Sequence, residues 1–379
     1  MKTSTGKVPS VTHAGDHNDP PSDRNPGIAL GIGTGGAAMV TQLQNHENTH
    51  VGDNSKMHSE KLVIDTAEST RNLTVPSLDG GSAVALRPDQ ILILPERRVS
   101  DLASMANRSP ITRRYAEKLR CVPSYTTRDG AGGNRIVALL ALLAALPQVE
   151  MALTKCLVAE RDRRLFAYRS DQGVRYLTRH VIHVYLAGSG YGSTFSGTVQ
   201  LIIMLLRRIA RLLQLQLVIH VLPTSPSLAV TLDTDHAWGN YGAMMKELLL
   251  GQEDPAQIKF HTFTNESIAL EPGERFFDSL SPWGRSTGNL TISDRMEAAC
   301  NIGMLIHYLI HSPLASHSEA TFVDLTRAAA DRSMGLRIGR ELGIARLGVD
   351  APFNLRLGHN AALISILNHI LNRNSPENN

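Results

Sequence analysis

Between residues 27 and 250 the chain repeats one layout: a short apolar run, a stretch of glycine and small polar residues, then a run of helical period. The first case is "GIALGIGTGGAAMVTQL", where Ile28 to Leu30 enter a loop of Gly31, Gly33, Gly35 and Gly36. "KLVIDTAES" is a short strand ending in Asp65, and "TRDGAGGNRIVALLALLAAL" is a glycine loop opening directly into a strong helix. In "VIHVYLAGSGYGSTFSGTVQLIIMLLRRI" a β-branched and aromatic strand leads through small residues into a long apolar helix. Such runs suit buried strands. A further strand, "QLVIHVLP", ends at Pro223. Strands alternating with helices predict an α/β fold, a parallel sheet with helices on both faces.

After Leu250 the pattern changes. "GQEDPAQIK" reads as a surface connection, "RFFDSLSPWG" as a strand and "ISDRMEAACNIGMLIHYLI" as a helix. "GLRIGRELGIARLGVD" supplies one or two strands, and "AALISILNHILN" a final helix. The expected organisation is a polar, disordered tail over 1–26, an α/β domain over 27–250, a smaller α+β domain over 251–372 and a polar tail over 373–379.

Composition adds bounds rather than chemistry. Hydrophobic residues make up 42% and charged residues 19%, the balance of a soluble globular protein. A net charge of +3 points to neither nucleic acid nor a membrane surface, and the arginine-dense stretches read as solvated faces. The three scattered cysteines fit a reducing compartment and no disulfide framework. The longest apolar run, "IVALLALLAAL", is too short to span a bilayer, and the first 26 residues lack the apolar centre of a signal peptide. A cytoplasmic location is expected, and the sequons at Asn72, Asn107, Asn265 and Asn289 carry no assignment. One literal HExxH occurs, formed by His46, Glu47 and His50. It lies in the polar stretch "QNHENTHVGDNS", poor helix material without an evident third ligand, and reads as a chance match on a solvated surface.

The glycine loops carry the chemistry. On a parallel sheet the strand-to-helix loops lie along the carboxyl edge, where ligands bind. Glycines let the backbone approach a phosphate, and a helix N-terminus offers free N–H groups and a positive dipole end. A P-loop needs GxxxxGK[ST], and none of these loops holds a lysine. A Rossmann dinucleotide site fits Gly31, Gly33 and Gly36 as GxGxxG. Asp65 then lies farther on than the usual offset of about 20 residues, and the other glycine loops have no role.

The set of motifs, in order, resembles the tubulin/FtsZ superfamily, and the bacterial tubulin-like proteins within it more than FtsZ. "LGIGTGGAAMV" resembles its first phosphate loop, and "GAGGNR", Gly130 to Arg135, its GAGGNP-type loop. "YGSTFSG", Tyr191 to Gly197, stands where the family has its GGTGSG signature, and "NYGAMMKEL" resembles the start of the central helix. The resemblance implies a tubulin/FtsZ-type domain binding GTP or GDP with Mg²⁺, and head-to-tail self-association into filaments. Partner proteins encoded in the same operon would be in keeping with the bacterial group.

By that resemblance Gly33, Thr34, Gly35 and Gly36, then Gly130, Ala131, Gly132, Gly133 and Asn134, then Ser193, Thr194, Phe195, Ser196 and Gly197 hold the phosphates, and Gly31 and Gly192 also belong to the nucleotide-binding set. Asn240 pairs with the guanine. Arg135 either meets the γ-phosphate or starts a helix facing solvent, and Asp65 either meets Mg²⁺ through water or caps the strand exit. Two departures stand out. Ser193 and Phe195 replace signature glycines, and a bulky ring tolerates φ > 0 poorly. The loop then takes another path, binds nucleotide weakly, or uses the ring to cover the phosphates. No NxDxxD loop follows the helix, so Glu253 and Asp254 are candidates for GTP hydrolysis by position alone. A nucleotide-free scaffold acting through partner proteins is the alternative reading.

Overall fold

The computed structural model describes residues 27–51, 58–169, 181–228, 234–287, 290–292 and 294–311. The expected tails, the strands expected in "GLRIGRELGIARLGVD" and the final helix "AALISILNHILN" lie outside these residues.

Six strands form one parallel sheet: β1 (Gly27–Ile32), β2 (Glu60–Asp65), β3 (Ile91–Ile93), β4 (Val181–Ser189), β5 (Gln216–Thr224) and β6 (Ser279–Leu280). Their order is β6-β5-β4-β1-β2-β3. Every pairing is parallel, with Ile32 opposite both Ile64 and Gly188. The sheet alternates cleanly. Ile28, Leu30, Ile32, Val184, Leu186, Ile219 and Val221 enter the larger core on one face, and Ala29, Tyr185, Ala187 and Leu222 a second core on the other. Period-two alternation with both faces apolar is what a sheet covered on both sides requires.

Helices α2 (Val99–Asn107), α3 (Arg113–Leu119), α4 (Arg135–Ala144), α5 (Leu146–Arg169), α6 (Ser193–Leu212) and α7 (Thr234–Glu253) supply the larger core. The apolar run "IVALLALLAAL" is the buried α4, which meets α5 at a bend of 78°. Among the described residues no single helix is long and apolar enough to cross a membrane. The second face is covered by α1 (Gly33–His50) and α8 (Arg295–His311), which pack on each other. Thus β6 and α8, from the stretch after Leu250, pack on this sheet.

One sequence expectation is overturned here. The HExxH stretch is not a solvated surface: His46 and Glu47 are buried in the last turns of α1. The helix is enclosed by the sheet and α8, so its polar residues need partners, and they have them. Asn45 Nδ2 donates to Pro76 O at 2.8 Å, and Glu47 accepts from Lys61 Nζ, from Ser59 N at 2.9 Å and from His311 Nε2 at 2.8 Å.

Candidate functional site

The strand order reverses between β1 and β4, and in such sheets the crevice beyond the carboxyl ends at that point accommodates ligands. A cavity of about 310 Å³ lies there, at the lower end of the range for small-molecule sites. Three glycine-bearing segments converge on it: Gly33–Gly35 at the start of α1, Asp129–Gly133 before α4, and Tyr191–Phe195 at the start of α6.

The backbone explains why these segments are glycine-rich. Gly33 (φ 74°), Gly130 (108°), Gly132 (58°) and Gly133 (77°) occupy the left-handed region that side chains with Cβ avoid. Helix α1 begins directly at Gly33 and α6 directly at Ser193. Neither N-terminus has a side-chain cap, and neither has an acidic residue in its first turn. The first N–H groups of both helices are therefore available to an anion, with the positive end of each dipole behind them. By contrast α4 is closed by its own residue: Asn134 Oδ1 accepts from Ile136 N at 2.9 Å and Val137 N at 3.3 Å.

Asp65, at the end of β2, ties the segments together. Its Oδ2 accepts from Thr34 Oγ1 at 2.9 Å and Thr70 Oγ1 at 2.7 Å, and its Oδ1 accepts from Thr66 N at 2.7 Å and Thr194 Oγ1 at 3.4 Å. The carboxylate is buried, so these four donors replace its water shell. Its place, joining the starts of α1 and α6, follows from β2 lying beside β1 in register.

Of the residues expected at the site, Gly33, Thr34, Gly35, Asp65, Gly130 to Gly133 and Gly192 to Phe195 line the cavity. Gly31 and Gly36 do not line it but let α1 lie against the sheet. A Cβ on Gly36 would stand 2.4 Å from Ala187 O, and one on Gly31 2.5 Å from Gly36 O. Gly197 does the same for α6 and α4, where a Cβ would meet Arg135 O at 2.4 Å. Ser196 Oγ donates to Gly192 O at 2.7 Å. Arg135 points neither into the cavity nor into open solvent: its guanidinium donates to Ser196 O at 2.7 Å and pairs with Glu247 on α7. Asn240, also on α7, donates through Nδ2 to Gly133 O at 3.0 Å and Tyr191 O at 3.2 Å, so it fastens two of the converging segments to each other. Glu253 and Asp254 lie outside the cavity lining, and Asp254 Oδ1 accepts from Ala256 N at 3.2 Å.

The backbone at Phe195 does not adopt the left-handed conformation that a signature glycine would allow. The residue sits in the first turn of α6 with negative φ, 1% exposed, and its ring joins the larger core. The space it fills is the one Gly188 vacates, since a Cβ on Gly188 would stand 2.1 Å from Phe195 Cδ2. The ring therefore packs beside Gly188 in the core, and Phe195 forms part of the cavity lining.

Sequence reasoning missed Ile32, Ala67, Asp129, Ser189, Tyr191 and Arg295 in the lining. Arg295 is the important omission, a guanidinium brought in by the first residue of α8. No local signal announces it, because only the packing of α8 on α1 places it there. Hydroxyl and carboxylate oxygens from Thr34, Ser193, Thr194, Asp65 and Asp129 are hard donors of the kind Mg²⁺ takes. Among the described residues no group of three His, Cys, Asp or Glu is arranged to hold a metal by itself.

Comparison with solved structures finds weak likenesses. CetZ2 of Haloferax volcanii, described as a GTPγS-bound protofilament, is 13% identical with a TM-score of 0.37 over 75% of this chain and 59% of its own. CetZ of Methanosaeta thermophila is 13% identical, with a TM-score of 0.39 over 83% and 56%. An FtsZ variant from M. jannaschii is 12% identical, with a TM-score of 0.37 over 76% and 57%. The chain thus spans less than three fifths of each of these solved chains. No curated protein sequence matches it. The family model described as "Tubulin like" matches residues 28–312, a range that holds the whole cavity lining and all of the sheet but Gly27. With that match over most of its length, the chain belongs to the tubulin-like family, and its parallel sheet with helices on both faces is the α/β fold of the tubulin/FtsZ superfamily.

Proposed function

We propose that the crevice binds a guanine nucleotide, GTP or GDP, with its phosphates over the N-termini of α1 and α6 and the Gly130–Gly133 segment. The observation that carries this reading is the convergence of two uncapped helix N-termini, free of first-turn acids, on one cavity at the switch point of the sheet. The backbone N–H groups of Gly33 to Gly35 and of Ser193 to Phe195 donate to phosphate oxygens, and the hydroxyls of Thr34, Ser193 and Thr194 add to them. Arg295 offers a charge-assisted donor. Mg²⁺ would offset the negative charge that Asp65, Asp129 and the phosphates bring together. Arg135, Asn134, Asn240, Gly31, Gly36, Ser196 and Gly197 act behind the lining, holding the segments in place. The choice of guanine rests on family membership alone.

The same membership supports head-to-tail self-association, in which one copy's α7 end, with exposed Glu253, meets the nucleotide of the next. A heterologous contact of this kind builds filaments when it does not close. Sedimentation of the full chain at high concentration, with GTP, with GDP and without nucleotide, tests this. Pelleting that depends on GTP and falls on Glu253→Ala is expected, and equal pelleting in all three conditions would remove the nucleotide from assembly.

A further inference from the structure

Between β3 and the Asp129–Gly133 segment the chain leaves the sheet over residues 97–128, which fold as α2 and α3. Backbone bonds close this excursion at its base. Thr127 N donates to Arg97 O at 2.9 Å, Val99 N to Tyr125 O at 3.0 Å, and Glu68 N to Arg128 O at 2.9 Å. Farther along, Ser109 Oγ, between the two helices, bonds to Asn265 Oδ1 from the stretch after α7. Leu102, Ala106, Ala116 and Leu119 enter the larger core, so both helices are fixed against the body of the protein with their other sides exposed.

The exposed side is basic. Arg97, Arg98 and Arg128 stand exposed at the base, and Arg108, Arg113, Arg114, Lys118 and Arg120 from the end of α2 to the end of α3. With Asp101 and Glu117 as the only acids, residues 97–128 carry a net charge of +6. The whole chain carries +3, so its remainder is net negative and the total hides this local excess. Other arginines of the molecule are matched with carboxylates: Arg71 with Glu68, Arg135 with Glu247, Arg208 with Glu266 and Arg211 with Glu274. Among the described residues none of the eight has such a partner, and Arg114 lies instead over the Tyr115 ring, 5.0 Å from its centroid. Like charges held together on a fixed surface repel one another, and a polyanion relieves that repulsion.

We propose that the outer side of α2 and α3 is a docking surface for double-stranded DNA, held through its phosphates without regard to sequence. Arginine outnumbers lysine seven to one there, and its planar fork can pair with two phosphate oxygens at once. Ile111 is the one large apolar side chain exposed on the excursion. The surface therefore lacks the apolar and aromatic centre with which proteins dock on each other, and has the polarity and positive charge of a DNA interface. Tyr115 and Tyr125 are half-buried, so no aromatic ring is laid open for unpaired bases to stack on, which favours a duplex over a single strand. Ser100, Ser104 and Asn107, exposed on α2, add neutral groups of the kind that bond phosphate oxygens. None of these residues lines the crevice, so the inference is independent of the nucleotide reading.

The test is fluorescence anisotropy of a labelled DNA duplex of about 30 base pairs, titrated with the full chain at salt from about 50 to 200 mM. Saturable binding is expected, equal for duplexes of unrelated sequence. Its log–log salt slope should be about −4 to −5, as four to six phosphate contacts give. Arg113→Gln with Arg120→Gln changes two exposed side chains seven positions apart on one helix face. That pair should bring the slope about 2 units nearer zero and leave the melting temperature unchanged. Lys246→Gln with Lys259→Gln removes the same charge from exposed positions elsewhere and should leave the slope as it is. Absence of saturable binding, equal effects of the two double variants, or tighter binding of poly-glutamate or single-stranded DNA than of the duplex would overturn the proposal.

Discussion

Phe195 shows what a single position can and cannot say. Set against the family signature, it reads as a ring forced into a glycine's conformation. The left-handed conformations are in fact at Gly33, Gly130, Gly132 and Gly133, and Phe195 is ordinary helix. The compensating change is Gly188, seven residues earlier, whose missing Cβ makes room for the ring. That pairing exists across a strand end and a helix start, so neither residue announces it alone. Phe195→Ala is expected to cost about 3–5 kcal/mol of stability in urea denaturation. Phe195→Gly, which restores the family's residue, should be destabilising and bring no gain in nucleotide affinity. A tighter-binding, equally stable Phe195→Gly protein would show that the ring obstructs the site.

At the level of elements, strands with an uninterrupted apolar pattern were legible: β1, β2, β4 and β5 fall where periodicity places them. The edges β3 and β6, three and two residues long, carry too little pattern to be read with confidence of register, and only β6 was anticipated as a strand. Helix α1 misled for a different reason. Its polar stretch from Gln44 onward reads as solvated, yet α8, some 250 positions away in the chain, packs on this helix. These helices approach closely at Gly303, where a Cβ would stand 2.8 Å from Gln42 Cβ and 2.8 Å from Leu43 N. Gly303→Val should therefore cost about 1–3 kcal/mol or more by overpacking, measured by thermal denaturation. An unchanged melting temperature would mean that the helices are not packed this closely.

The paired strands β4 and β5 carry a second element-scale prediction. His220 is buried between them, 3.0 Å from His183 through Nε2 and 2.8 Å from Ser279 Oγ through Nδ1, and stacked on Tyr185 at 4.8 Å. Burial, then the neighbouring His183, hold it well below the ordinary histidine value. A folded value below the unfolded one means that the unfolded chain takes up protons first. The ring's stabilising contribution is thus complete above about pH 6.5 and is lost as the pH falls below it. The urea midpoint should drop between pH 7.5 and pH 5, and His220→Asn should flatten that dependence. Parallel profiles for the two proteins would exclude His220 as a source.

For the whole molecule, the alternation of strands and helices was enough to place a ligand crevice at the carboxyl edge. Order and spacing of the glycine motifs were enough to suggest the family. Which glycines face the crevice and which merely permit close packing was not legible, because Gly36 and Gly35 differ only in what stands opposite them. Nor was Arg295, which reaches the cavity only once α8 has folded onto α1.

The central claim, a phosphate site where the three segments meet, is tested most directly at Gly133. This residue lines the cavity with φ 77°, and among the described residues nothing lies within 4 Å of where a Cβ would be. Asn and Asp both tolerate that conformation, are nearly identical in shape and differ by one negative charge. Calorimetric titration of wild type, Gly133→Asn and Gly133→Asp with GTP and GDP in the presence of Mg²⁺ isolates the charge. We expect Gly133→Asn to bind close to wild type and Gly133→Asp to bind at least about tenfold more weakly, a difference of roughly 1.4 kcal/mol. Equal affinities for the two variants, or no binding by the wild-type chain, would contradict the account.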